Sequence, residues 1–218
     1  MAKGLTPAVI PEVRFQYAWL LADAASVHLN EKFGDGSPLH SYDEYCEVAK
    51  KYDEWWAPEG ERILRALCDI TGLQFRQNTI DVHVAPWFYA FSSPMVLGVI
   101  FKDKDTLIDV LTHEIIHRLL TDNTTYEWRH DFVKQWRGMF GDTVTKNTLV
   151  HIPVHAIMEA LYRGPLHRPD LVDFDKELVK KSPDYVAAWE YVDEHGHDSI
   201  VAELKKAARD YSSTVRSK

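Results

Sequence analysis

The chain has 218 residues, 45% apolar and 27% charged, with a formal net charge of −8. That length supports one substantial core, and the acidic balance with scattered Lys and Arg excludes the basic footprint of a nucleic-acid or anionic-membrane binder. No run approaches the roughly 18 apolar residues of a membrane span, and the first twenty residues lack the apolar stretch of a signal peptide, so a cytoplasmic protein is expected.

In chain order, residues 12–32 have a helical pattern built on Phe15, Trp19, Leu20, Ala22 and Val27, stopped by Gly34-Asp35-Gly36. Residues 41–56 open with Ser41 and, three positions on, Glu44, the signature of a capping box. A further helix over 58–71 places Ile63, Leu64, Leu67 and Ile70 on one face, with Gly72 past its end. Cys46 and Cys68 fall in these segments without CxxC spacing and read as free buried thiols. Residues 78–85 then alternate as a half-buried strand, and the β-branched run at 95–101 reads as a buried one. Residues 105–120 return to the helical period, with Asp103 or Asp105 as N-cap. Helices are expected over about 125–140, then over 153–163, 169–180, 183–194 and 199–211. Three of these begin at a Pro suited to the first helical position.

The sum is an α+β fold, mostly helical, with a small mixed or antiparallel sheet of about three strands beside the helix at 105–120. A single domain is expected over 1–218: N-terminal helices to 75, sheet and central helix over 76–122, and a helical remainder over 123–218.

The chemistry concentrates at His113-Glu114-Ile115-Ile116-His117. On a helix, positions i and i+4 lie on one face about 40° apart, so two imidazoles at that spacing can chelate one metal ion. The Glu beside the first His is turned away from ligation yet near enough to reach a metal-bound water. A short strand leading into an amphipathic helix is the neighbourhood this HExxH pattern requires. The segment from Val110 to Leu119 resembles the active-site helix of the zincin metallopeptidases. Val110, Leu111, Ile115, Ile116 and Leu119 match its uncharged positions, and Arg118 departs from them. The resemblance covers about ten residues and implies a zinc-dependent peptidase acting on a peptide or protein substrate, with Glu114 as general base. It names neither substrate nor oligomeric state.

A catalytic zinc needs three protein ligands and an open position. His130, 13 residues after His117, sits at a distance like that used by Spartan-type proteases, but its surroundings do not otherwise match and it reads as a surface His. The better source is His151-Ile152-Pro153-Val154-His155-Ala156-Ile157-Met158-Glu159. With Pro153 in the first turn, His151 falls at or before the N-cap, while His155 and Glu159 share a face. Small gluzincins, the resembling group, take a Glu on a downstream helix as third ligand and an acid four residues later to orient the first His. Glu159 as ligand would put Arg163 where that acid belongs. His155 as ligand would make Glu159 the acid, holding a ligand imidazole by its second nitrogen. His155 is therefore preferred, with Glu159 as the alternative.

Tyr162 or His151 could assist an oxyanion, and a substrate strand could add to the sheet edge. The pair His195 and His197 reads as flanks of a C-cap at Gly196, His83 as a satisfied core group, and Trp55, Trp56, Trp128 and Trp136 as core or pocket lining. Two other readings stand beside the hydrolase: a zinc-stabilised regulatory or binding protein that does not hydrolyse, and a latent protease covered by one of its ends.

Overall fold

The computed structural model describes residues 9–23, 41–86, 89–123, 136–141 and 144–215, with side chains as far as 207. The fold is mostly helical with a small mixed sheet of four strands. The chain divides into two compact units: Ile10–Arg62 with Gln77–Arg118, and Met1–Val9 with Ile63–Arg76 and Leu119–Lys218. Among the described residues no helix is long and apolar enough to cross a membrane.

The first unit holds the sheet. Strand β1 (Glu12–Tyr17) runs parallel to β2 (Thr79–Val84), and β2 runs parallel to β4 (Met95–Leu97), which pairs antiparallel with β3 (Ala90–Ser92). The order is β1-β2-β4-β3. In β2, Ile80, Val82 and Val84 are buried while Asp81 faces out, the period-two pattern of a half-buried strand. The helix expected over 12–32 is corrected here. Val13, Phe15 and Tyr17 alternate on one face of β1, and their parallel register against Ile80, Val82 and Val84 satisfies the backbone that a helix would otherwise satisfy internally. Helix begins only at residue 19, and residues 24–40 lie outside those described.

Helix α1 (Tyr42–Trp56) carries the expected capping box: the Glu44 amide donates to Ser41 Oγ at 3.3 Å and the Ser41 amide to Glu44 Oε2 at 2.9 Å. Its buried face is Tyr45, Ala49, Tyr52 and Trp56. The Tyr52 hydroxyl donates to the Gly98 carbonyl at 3.0 Å and accepts from the Phe101 amide at 3.2 Å, and burial pushes its phenol up to about 12. These bonds explain why the strand expected over 95–101 stops at Leu97, since Tyr52 takes backbone groups that a longer strand would have offered to a neighbour. Helix α3 (Lys104–Asp122) then starts behind Asp103, whose Oδ1 accepts from the Thr106 amide at 2.8 Å.

Helix α2 (Gly60–Thr71) buries Ile63, Leu64, Leu67 and Cys68 and ends at Gly72, whose φ of +71° suits a residue without Cβ. The second unit is otherwise built on α4 (Lys146–Arg163), which packs against α5 (Asp170–Val179), α6 (Pro183–His195) and α7 (His197–Val215). From Thr148 to Tyr162 nearly every side chain of α4 is buried, as befits a central helix. The expected start at Pro153 is wrong. Thr145 caps the helix, accepting from the Thr148 amide at 3.0 Å, and Pro153 lies in the interior. The missing amide of Pro153 costs one ladder bond, which the burial of Leu149, Ile152, Val154 and Ile157 outweighs. Pro183 does occupy a first-turn position in α6, while Pro169 stands at the cap of α5. Most of the helix expected over 125–140 lies outside the described residues, and 136–140 is helical with Trp136 and Phe140 buried.

Candidate metal centre

Helix α3 is held by Leu107, Leu111, Ile115, Ile116 and Leu119, all fully buried. With those residues inward, the 3.6 period leaves His113 and His117 together on one face. Their Nε2 atoms lie 3.1 Å apart. Two nitrogens bound tetrahedrally to one zinc at about 2.0–2.1 Å would be about 3.3 Å apart, so the pair is already close to the spacing a metal requires. Glu114 sits between them in sequence, and burial alone pushes its carboxyl up to about 7.

A third imidazole joins this pair. The ligand nitrogens of His113, His117 and His151 all lie within 4.8 Å of one another, close enough to hold a metal ion. His151 stands in the second turn of α4, and its Nδ1 is 2.7 Å from the Asn147 carbonyl oxygen. A carbonyl only accepts, so Nδ1 carries the proton and the lone pair resides on Nε2, the tautomer of a ligand braced through its other nitrogen. The ring also packs on Tyr185 with centroids 4.0 Å apart. Burial lowers the His151 pKa, while the Asn147 carbonyl and the Asp184 charge push it the other way. The outcome favours neutral imidazole, the form that binds metal.

His155, expected as third ligand, is not in this group. It is fully buried and stacks on the Trp189 indole, with centroids 4.6 Å apart and an interplanar angle of 11°. Nor does Glu159 join it. Its carboxylate accepts from Arg163 Nε at 2.6 Å and lies 3.6 Å from His197 Nδ1, so the basic residue at 163 is its partner. The reason lies in the start of α4. Once the helix begins at Lys146, His151 is inside it one turn before His155, and it is His151 that lies with the α3 pair while His155 packs on Trp189.

His83 meets Gln16 across β1 and β2 at 3.3 Å. His195 stacks on Tyr191, and Gly196 caps α6 with φ of +78° as expected. Tyr162 is fully buried, Trp56 and Trp136 are buried, and Trp55 packs under Lys51. Cys46 and Cys68 are free thiols, the second buried. His130 and Trp128 lie outside the described residues. Tyr185 escaped the sequence reading because only the packing of α6 on α4 brings its ring to His151. His151 itself was visible as the first member of a second His pair. No family model, curated protein or solved structure matches the chain.

Proposed function

We propose that the protein is a zinc-dependent peptide hydrolase in which His113, His117 and His151 hold the metal and Glu114 is the general base. The observation that carries this is the three-imidazole group formed around a helix that places a half-buried, desolvated carboxyl beside the first ligand. Three neutral imidazoles suit several divalent metals, and the adjacent Glu114 is what favours hydrolysis over electron transfer or storage. Bound there, zinc would supply Lewis acidity and bring the pKa of a water down to about 7.

The chain's own residues then have defined tasks. Glu114 takes a proton from the attacking water and delivers it to the leaving amine. The Asn147 carbonyl keeps His151 in the ligating tautomer. The edge strand β3 offers backbone groups to an extended peptide, with Phe91 exposed on it. A zinc that only braced the fold would want a fourth protein ligand, whereas the group among the described residues has three. Burying a carboxyl is also costly, and such strain concentrates at working sites.

The test is Glu114→Gln, assayed on a mixture of fluorogenic peptides after zinc loading. Metal content should stay at the wild-type level while turnover falls by about 10²–10⁴-fold. Wild-type turnover in this variant would exclude Glu114 as base.

A further inference from the structure

We infer that Asp184 is a positioning residue for the metal centre, acting through the first turn of α4; the inference rests on the metal-site reading above. Asp184 lies in the first turn of α6, yet its carboxylate is directed at the start of another helix. Oδ1 accepts from Thr145 Oγ1 at 2.6 Å and from Thr148 Oγ1 at 3.2 Å, and Oδ2 accepts from Asn147 Nδ2 at 3.1 Å. Thr145 is the cap of α4, and its hydroxyl donates to Asp184 while accepting from the Thr148 amide. One carboxylate thus gathers the cap and two of the first three residues of the helix.

The consequence for His151 follows from covalent geometry. The carbonyl that receives the His151 Nδ1 proton belongs to the peptide unit joining Asn147 to Thr148, and both of those residues are held by Asp184. A peptide unit is planar, so fixing the residues on either side fixes the direction of its carbonyl. First turns of helices otherwise fray. A frayed turn would release the proton of His151 to either nitrogen and let the ring rotate away from its ligating pose. Ionised carboxylate is the right group because it accepts from three donors and offers none. In Asp184→Asn, the new amide would face the Asn147 amide, donor against donor. Exchanging the two side chains, Asn147→Asp with Asp184→Asn, restores a donor and an acceptor across the same gap.

The experiment uses the full chain and cobalt(II) as the probe, reading affinity and the visible ligand-field bands, with the metal-free melting temperature as a check on folding. Imidazole 15N shifts of metal-free protein, with His151 assigned through His151→Ala, report its tautomer directly. Asp184→Asn should weaken cobalt binding by about 10–100-fold, change the bands, and convert His151 from one tautomer to a mixture, with melting shifted by only a few degrees. The exchanged pair should recover most of both signals. Wild-type cobalt affinity and an unmixed tautomer in Asp184→Asn would overturn the inference. So would a loss that the exchange does not repair, or a collapse of metal-free melting that accounts for it. If wild-type protein binds no cobalt while its His151 tautomer is as described, the metal-site reading is what fails, and the positioning role falls with it.

Discussion

Two helices of this protein each carry a pair of histidines four residues apart, and the two pairs meet different fates. On α3, His113 and His117 turn their Nε2 atoms to within 3.1 Å of each other. On α4, the rings of His151 and His155 are 5.9 Å apart by centroid, and they divide: His151 joins the α3 pair, while His155 lies flat on Trp189 inside the helical core. The spacing is the same in both. It permits chelation and does not compel it, because each ring still chooses its rotamer from what surrounds the helix. Both helices are largely buried, α3 throughout Leu107–His113 and α4 over most of Thr148–Tyr162, so burial does not separate the pairs. The difference is that on α4 the Trp189 indole takes one ring of the two.

The largest expected effect separates the members of the second pair. His151→Ala should lose zinc by at least about 100-fold, as should His113→Ala and His117→Ala, whereas His155→Ala should bind it within about threefold of wild type. Isothermal titration on the chelator-treated variants measures this. Zinc retained by His151→Ala and lost by His155→Ala would reverse the assignment.

Stability should invert that ranking. His155→Ala opens a cavity against Trp189 and should cost about 2–4 kcal/mol, read by urea denaturation of metal-free protein. His151→Ala should cost less. In the same assay zinc at 100 times its Kd should add about 2.7 kcal/mol to wild type and to His155→Ala, and little to His151→Ala.

A third contrast is the residue after the first His, Glu114 in one pair and Ile152 in the other. In metal-free protein the Glu114 carboxyl is raised from 4.5 to about 7 by burial. The native state then binds the proton more tightly than the unfolded chain. Stability from this group is fully present below about pH 4.5, declines between 4.5 and 7, and levels off above. The loss amounts to at most about 3 kcal/mol, and Glu114→Gln should remove that part of the pH dependence. Identical pH–stability curves for the two proteins would show that Glu114 is solvated.

The smallest effect concerns the brace of the sheet unit. Tyr52→Phe deletes the hydroxyl that serves Gly98 and Phe101, and should cost about 1–3 kcal/mol in thermal unfolding. A neutral substitution would mean that water takes over both backbone groups.

What was legible in the sequence divides along the same line. The capping box at Ser41, the alternation of Ile80, Val82 and Val84, the period of α3 and the stop at Gly196 are short-range signals, and each appears as read. The segment at 12–17 deceived because its apolar residues also fit a helical period; pairing with a strand some seventy residues away decided it. The start of α4 deceived because Pro153 is a strong local signal for a first turn, and only the burial of the turns before it, together with the Thr145 cap, shows the helix running through.

The amino-acid sequence by itself determined the α+β class and the local geometry of His113, Glu114 and His117, since i,i+4 spacing on an amphipathic helix is set by backbone pitch alone. Which further residue completes the group was decided by tertiary structure. That choice depends on where α4 begins, on a carbonyl at Asn147 that holds one imidazole, and on an indole at Trp189 that takes the other, and each of these arises from contacts between helices.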